Sequence, residues 1–364
     1  MDQTTEPKKK NANVELLRII TMIMVTMLHA LGKSDLLLPM NDIDSVNGWL
    51  AWGLEILSIC AVNVFMLISG YFMINSRFKL GRLFEIILET MFYSLTPLLV
   101  FLAFGKVTSE DLSIYSLLQY FAPIHMDTYW FITAYVVTYL LSPFLSAGIH
   151  SMEKKQLRTV ILCLLAYECF IISISPVKYV VDDEGYTFLW YCIVFLIGAY
   201  FRKYGFRFLD KSYKGSLVYF AACVLIYAET AVLYWVMGLT GRLKDFTMAT
   251  LHYNQFLVLM AAIGIFAAFL HAKPLGGKVA KLICAISPLV LGVYLLQENL
   301  KLRFEWQGWF GLKGSLSESM PLFLLRLLGA VIGMFLLGIA VDALRSILFK
   351  AVQRIFSKAK DTAK

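Results

Sequence analysis

Apolar stretches of about 20 residues recur along this chain, and they constrain its fold more than any other feature. A bilayer core about 30 Å thick is crossed by about 20 helical residues, so each stretch is long enough to span it. Hydrophobic residues make up 59% of the 364 residues and charged residues only 16%, which is more apolar than a soluble domain. The sequence therefore predicts an all-α integral membrane protein, a bundle of about ten transmembrane helices. The predicted spans are residues 13–32, 49–74, 83–104, 128–149, 157–176, 186–204, 215–238, 253–272, 280–300 and 320–349.

The positive charges between these spans predict an orientation. If the N-terminus is cytoplasmic, 23 of the Lys and Arg residues lie inside and eight outside, as the positive-inside rule requires. We therefore expect both termini in the cytoplasm, with an N-terminal tail over 1–12, a transmembrane domain over 13–349 and a basic tail over 350–364. The net charge of +8 is then explained mostly by cations that set the orientation and contact the lipid bilayer, and we expect no nucleic-acid partner.

The first span carries three polar side chains that hydrocarbon does not tolerate: Glu15, Arg18 and His29. Arg18 and His29 are eleven residues apart, which is about three helical turns, so both lie on one face about 16 Å apart. Glu15 lies on the same stripe, three residues before Arg18. Such groups mark a functional path through the membrane. The alternatives are that Arg18 snorkels to the cytoplasmic face and that His29 bonds a neighbouring helix.

Other candidate residues stand at the ends of later spans. The cations that follow the second span include Lys79 and Arg82, and they fit either a topology signal or a site for an anion. Trp130 belongs either to a belt of interfacial aromatics or to a surface on which a sugar ring stacks. Tyr135 lies deeper and fits a core hydroxyl bonded to a neighbouring helix. Asn63, inside the second span, suits close helix packing.

Motifs for metals and nucleotides are missing from the sequence. The pattern D-I-D at Asp42 and Asp44 is one that a glycosyltransferase could use to hold a metal, but in a loop it is more often only solvated. The six Cys residues form no C-x-x-C pair, and neither H-E-x-x-H nor a glycine-rich phosphate loop occurs. We therefore expect no metal site and no bound cofactor.

Several stretches resemble the membrane-bound acyltransferase 3 family. They are Arg18-x10-His29, the F-M-L-I-S-G-Y end of the second span with its basic continuation, Y-W-F-I-T-A-Y followed by L-S-P, and V-Y-L-L in the ninth span. The Y-W-F…S-P-F stretch is similar to the branch that modifies bacterial exopolysaccharides and capsules. The resemblance implies O-acetylation of an extracytoplasmic glycan, either a surface polysaccharide or its lipid-linked precursor, with acetyl-CoA as co-substrate. It also implies a multi-pass protein of the cell membrane, with polysaccharide-assembly proteins as partners.

The resemblance also implies roles for the residues on the donor side. Arg18 and His29 would be the catalytic pair, with His29 as general base on the acceptor hydroxyl or, alternatively, as a transiently acetylated nucleophile. Arg18, Lys79 and Arg82, together with Glu15 on the same stripe, would hold the charged donor.

On the acceptor side the resemblance implies contacts from Trp130, Tyr135 and Asn63, and the latter two could also donate to the developing oxyanion. Two departures from the family are visible. Many relatives have a His near the position of Gln297, where this chain has an amide that cannot act as a base. Residues 350–364 are also too short for the esterase-like domain of another branch, so we expect a stand-alone transmembrane unit.

Two rival functions fit the composition. A transporter or flippase of a polar or lipid-linked solute would favour paired half-repeats or broken helices, which the sequence does not reveal. A glycosyltransferase would depend on Asp42 and Asp44 and be indifferent to Arg18. Because of the family resemblance, the acyltransferase is the interpretation that we favour.

Overall fold

A computed structural model of the protein describes residues 11–108, 112–174, 183–242 and 247–362. The described residues form helices joined by short loops, as the sequence predicts. The α-helices are α1 (Ala12–Gly32), α2 (Val46–Ser58), α3 (Ala61–Met73), α4 (Leu80–Ala103), α5 (Ile114–Phe121), α6 (Trp130–Ser151), α7 (Lys154–Leu165), α8 (Ile171–Ile174), α9 (Phe188–Tyr204), α10 (Ser212–Thr240), α11 (Phe256–Leu270), α12 (Gly277–Ile286), α13 (Val290–Gln297), α14 (Trp306–Trp309) and α15 (Met320–Thr362).

Nine helical segments of the described chain are long and apolar enough to cross a bilayer. They correspond to nine of the ten predicted spans. The remaining prediction, residues 186–204, falls on α9, which has 17 residues and lies at the short end of the range for a spanning helix. Every residue of α9 from Trp190 to Phe201 is buried. Since helices rather than lipid surround α9, bilayer thickness constrains its length less than that of its neighbours. The cytoplasmic location of the two termini stays a prediction.

Three of the spans are interrupted, which the sequence analysis did not predict. In the fifth, a π-helical turn at Ala166–Phe170 separates α7 from α8. The second span divides into α2 and α3 at Ile59 and Cys60. The ninth divides into α12 and α13, joined by a 3-10 turn at Ser287–Leu289. Pro288 explains the break in the ninth span, because proline has no amide hydrogen and clashes with the preceding turn of a helix.

The helices α3 and α9 pack with their backbones almost in contact at two glycines. A Cβ added to Gly70 would lie 2.1 Å from the carbonyl oxygen of Phe195, and one added to Gly198 would lie 2.2 Å from that of Leu67. Only glycine permits this approach. The pair fixes α3, whose other face borders the candidate site described below.

We therefore expect Gly198→Ala to force α3 and α9 apart and to destabilise the protein by about 1–3 kcal/mol, the usual cost of overpacking. Thermal unfolding in detergent, followed by tryptophan fluorescence, measures the effect. The matched control is Gly329→Ala in α15, where an added Cβ meets nothing within 4 Å and helix propensity favours alanine. Equal unfolding temperatures for the two variants would contradict the packing argument.

Candidate active site

A cavity of about 2090 Å3 lies within the bundle, and one face of α1 lines it. Glu15, Arg18 and His29 all contribute to the lining, as their spacing along the helix predicts. Met22 and Val25 fill the stripe between them. The polar groups of the first span thus point into a space that water can fill, not into lipid.

Basic side chains gather at the predicted cytoplasmic end of this cavity, which we call the inner mouth. Arg77 and Lys79 line it from the segment between α3 and α4, Arg82 from the first turn of α4, and Lys350 from α15. None of these four cations forms an ion pair with another described residue. The hydroxyl of Tyr139 bonds both the amide and the carbonyl of Lys79, each at 3.1 Å, and so fixes the backbone there. The inner mouth is therefore suited to hold a polyanion.

Arg18 lies further along the same wall, between the inner mouth and His29. Its Nε is 3.9 Å from Oε2 of Glu15, and the side chain stays 30% exposed. The hydroxyl of Ser287, in the break of the ninth span, donates to the same carboxylate oxygen. Glu15 is thereby held between α1 and the break, which leaves the guanidinium of Arg18 available to the cavity.

His29 ends the stripe beside a carboxylate that the sequence analysis did not assign to the site. Nδ1 of His29 lies 3.2 Å from Oε1 of Glu298, and the side chain of Glu298 is only 8% exposed. The ammonium of Lys33 bonds the same oxygen. Because Glu298 faces Nδ1, the other ring nitrogen, Nε2, is the one left to exchange a proton with a substrate. The signal in the sequence was the polar Q-E-N end of the ninth span.

Aromatic rings form the wall of the cavity opposite α1. Tyr294 from α13 is the nearest to His29, with ring centroids 6.3 Å apart, and its buried hydroxyl has no hydrogen-bond partner among the described residues. Trp130 and Tyr135, both predicted to contact the acceptor, also line the cavity. Trp130 stacks on Tyr253 at 5.5 Å. The wall offers flat apolar faces and one hydroxyl free to donate.

Asn63 joins helices, as its place in the second span suggested, and lies outside the cavity in which contact with the acceptor was expected. It is fully buried and is not among the cavity-lining residues. Its amide nitrogen donates to the carbonyl of Tyr253 at 2.7 Å, and its oxygen accepts a bond from Nε1 of Trp190 at 2.9 Å. Both polar atoms are thus used to join α3 to α9 and to the segment before α11. Asn63 holds the aromatic wall in place and is not a candidate for substrate contact.

A buried ionic cluster adjoins the inner mouth and was also not predicted. Arg345 of α15 bonds Asp342 at 2.6 Å and lies 3.2 Å from Glu89 of α4. The hydroxyl of Tyr93 donates to Asp342 at 3.0 Å. Nothing near Glu89 or Arg345 in the sequence predicts this pairing, because α15 brings Arg345 to α4 from far along the chain. Since Asp342 forms two hydrogen bonds with the guanidinium of Arg345, this residue adds little positive charge to the cavity.

The acidic pair of the first outer loop lies away from the cavity. Asp42 and Asp44 are exposed, and neither contributes to the lining. Within the described residues, no three His, Cys, Asp or Glu side chains converge as a metal site would require.

Comparison with known proteins identifies a family. A sequence model of the acyltransferase 3 family, described as an acyltransferase domain, matches residues 11–342. No curated protein and no solved structure matches the chain. The matched region includes α1, the cations between α3 and α4, the aromatic wall and Glu298. Because the match extends over most of its length, the chain belongs to the acyltransferase 3 family and is a multi-pass membrane acyltransferase.

Proposed function

We propose that the protein transfers an acetyl group from cytoplasmic acetyl-CoA to a hydroxyl of an extracytoplasmic glycan, at the cell membrane. The acceptor would be a surface polysaccharide or its lipid-linked precursor, and proteins that assemble the polysaccharide would be its partners. The observation that carries the proposal is the single cavity that joins the basic inner mouth to Arg18 and His29. This cavity can admit a charged donor from one side while the reacting group reaches the opposite half of the bundle.

The shape and charge of acetyl-CoA fit the two ends of this cavity. Its phosphates would remain at the inner mouth with Lys79 and Arg82, so that no polyanion has to enter hydrocarbon. Its neutral, thin arm would pass Arg18, which lies about 16 Å before His29 along α1. The thioester would then meet His29 in the deeper part of the cavity. Separate entrances for donor and acceptor follow from this geometry.

His29 would act as the general base. Its Nε2 would take the proton of the acceptor hydroxyl while the hydroxyl oxygen attacks the thioester carbonyl carbon. The C–S bond then breaks, and the thiolate of CoA receives the same proton from the imidazolium. Glu298, 3.2 Å from Nδ1, would orient the ring and stabilise its charged form during the transfer. No proton is gained or lost overall. In the alternative route the acetyl group passes first to Nε2 and then to the hydroxyl.

Tyr294 replaces Asn63 as the candidate donor to the oxyanion. The negative charge that develops on the thioester oxygen requires a hydrogen bond that is already in place. The hydroxyl of Tyr294 is buried beside His29 and has no partner within the described part of the chain, whereas the amide of Asn63 is occupied. Tyr135 also lines the cavity and remains a second candidate.

Interrupted spans are also a feature that a transporter would favour. The break between α12 and α13 carries Ser287, whose hydroxyl bonds Glu15 on α1. This break therefore supports the polar stripe of the proposed donor path and also agrees with an acyltransferase. A transporter would move a solute without consuming acetyl-CoA, so release of free CoA separates the two functions.

We expect His29→Ala to lower acetyl transfer by about 100-fold to 10,000-fold, the usual contribution of a general base, without loss of membrane insertion. Release of CoA thiol by protein in nanodiscs, with ester-linked acetate on surface polysaccharide as a cellular measure, tests this. His271→Ala is the control, since His271 is exposed at the end of α11. Full activity of the His29 variant would remove His29 from the mechanism.

We expect the double variant Lys79→Gln, Arg82→Gln to raise the KM for acetyl-CoA with little change in kcat, because these side chains would contact only the phosphates. S-acetyl-N-acetylcysteamine, a thioester without phosphates, should react equally with both proteins. Lys155→Gln, an exposed cation on the same predicted side, provides a control. An equal loss with both thioesters would show that these cations do not bind the donor's phosphates.

A further inference from the structure

The segment beyond α13, residues 298–307, ends in the first turn of α14 and lies on the predicted outer side of His29, and we call it the outer loop. Two buried amides fix it. Asn299 donates to the carbonyl of Tyr93 at 2.9 Å and accepts a bond from the amide of Lys301 at 2.9 Å. Gln307 donates to the carbonyl of Arg303 at 2.9 Å and also to that of His29 at 3.4 Å. A single side chain therefore holds the backbone of Arg303 next to that of the proposed base.

Two cations, Lys33 and Arg303, lie near the single buried carboxylate of Glu298. Lys33 is bonded to Glu298 and lies over the ring of Phe304, 5.5 Å from its centroid. Burial lowers the pKa of Lys33, Glu298 opposes the change, and the nearby positive charge of Arg303 adds to the lowering. Arg303 is therefore close enough for its charge to act on Lys33.

The guanidinium of Arg303 has no counter-ion of its own. It is half-buried, and its side chain makes neither a hydrogen bond nor an ion pair with any described residue. Glu298 is already engaged by Lys33 and faces His29. Arg326, by contrast, has a carboxylate partner, since its Nε lies 2.9 Å from Oε2 of Glu318. Lys33 and Arg303 carry two positive charges against the one carboxylate of Glu298, which interacts with both, so one positive charge stays uncompensated until a second anion joins them.

We propose that Arg303, assisted by Lys33, is a subsite for an oxyanion carried by the acceptor next to the hydroxyl that becomes acetylated. The guanidinium fork matches a phosphate or a carboxylate, each of which accepts two parallel hydrogen bonds. The exposed ring of Phe304 adds an apolar surface on which a sugar can rest. The inference rests on the proposed acetyl transfer at His29 and specifies its acceptor as an anionic glycan.

Binding in the absence of acetyl-CoA tests this subsite separately from catalysis. The probes are glucose 1-phosphate, methyl glucuronide and neutral methyl glucoside, each titrated into the purified full chain in nanodiscs while thermal stability is followed. We expect one or both anionic probes to bind more tightly than methyl glucoside. Arg303→Gln should weaken that binding about tenfold to a hundredfold and leave methyl glucoside unaffected. A preference for the phosphate or for the carboxylate identifies the source of the anion.

Two further variants make the result specific. Arg303→Lys keeps the charge and should retain part of the preference, which an unfolded protein would not. Lys313→Gln removes an exposed cation from the same predicted side and should leave the preference intact. Equal binding of all three probes, or equal losses in the Arg303 and Lys313 variants, would overturn the subsite. If the wild-type protein released no CoA, the proposed acetyl transfer would be contradicted. The binding experiment would still test the anion subsite, because it is performed without acetyl-CoA.

Discussion

The structure depends on the cost of placing charge in hydrocarbon. A titratable side chain within a membrane span costs a few kcal/mol or more unless it meets water or a partner. The first span carries such groups on one face, and the cavity within the bundle runs along that face. Each of the three groups has a different environment. Glu15 accepts a hydrogen bond from Ser287, Arg18 stays partly exposed to the cavity, and His29 lies beside the carboxylate of Glu298. The cavity is thus both a solution to a solvation problem and a route through the membrane.

The other elements of the bundle support this route. The break in the ninth span brings Ser287 to Glu15, and the end of the same span brings Glu298 to His29. One interrupted span therefore fixes both ends of the polar stripe on α1. Asn63 binds the segment before α11 to α3 and α9, which keeps the aromatic wall opposite α1. The two ends of the cavity differ in charge balance. The cations of the inner mouth have no ion-pair partner among the described residues, whereas at the other end His29 and Lys33 share the carboxylate of Glu298.

The sequence predicted the features that depend on local periodicity. Spans follow from apolar length, and the shared face of Arg18 and His29 follows from the rotation of about 100° per residue in a helix. The interruption at Pro288 also had a local signal, because proline lacks the amide hydrogen that a helix requires, although the sequence analysis did not use this signal. The short α9 was harder to recognise as an enclosed helix, because its composition resembles that of a helix facing lipid.

Features that depend on contacts between distant segments could not be predicted. The pairing of His29 with Glu298 joins residues far apart in sequence, and nothing near either residue specifies the other. For Asn63 the sequence left a helix contact and a substrate contact open, because a polar residue in a span fits both. The pairing of Glu89 on α4 with Arg345 on α15 likewise joins residues far apart in sequence. Composition identifies groups that need partners, but packing decides which partners they obtain.

The central claim is that one cavity carries the donor from the inner mouth to His29. The most direct measurement is a cryo-electron-microscopy structure in nanodiscs with a non-reactive thioether analogue of acetyl-CoA. The account predicts phosphates beside Lys79 and Arg82, the arm passing Arg18, and the acyl carbon within reach of Nε2 of His29. Density for the analogue at the outer loop, or an acyl group on the lipid-facing side of α1, would contradict it.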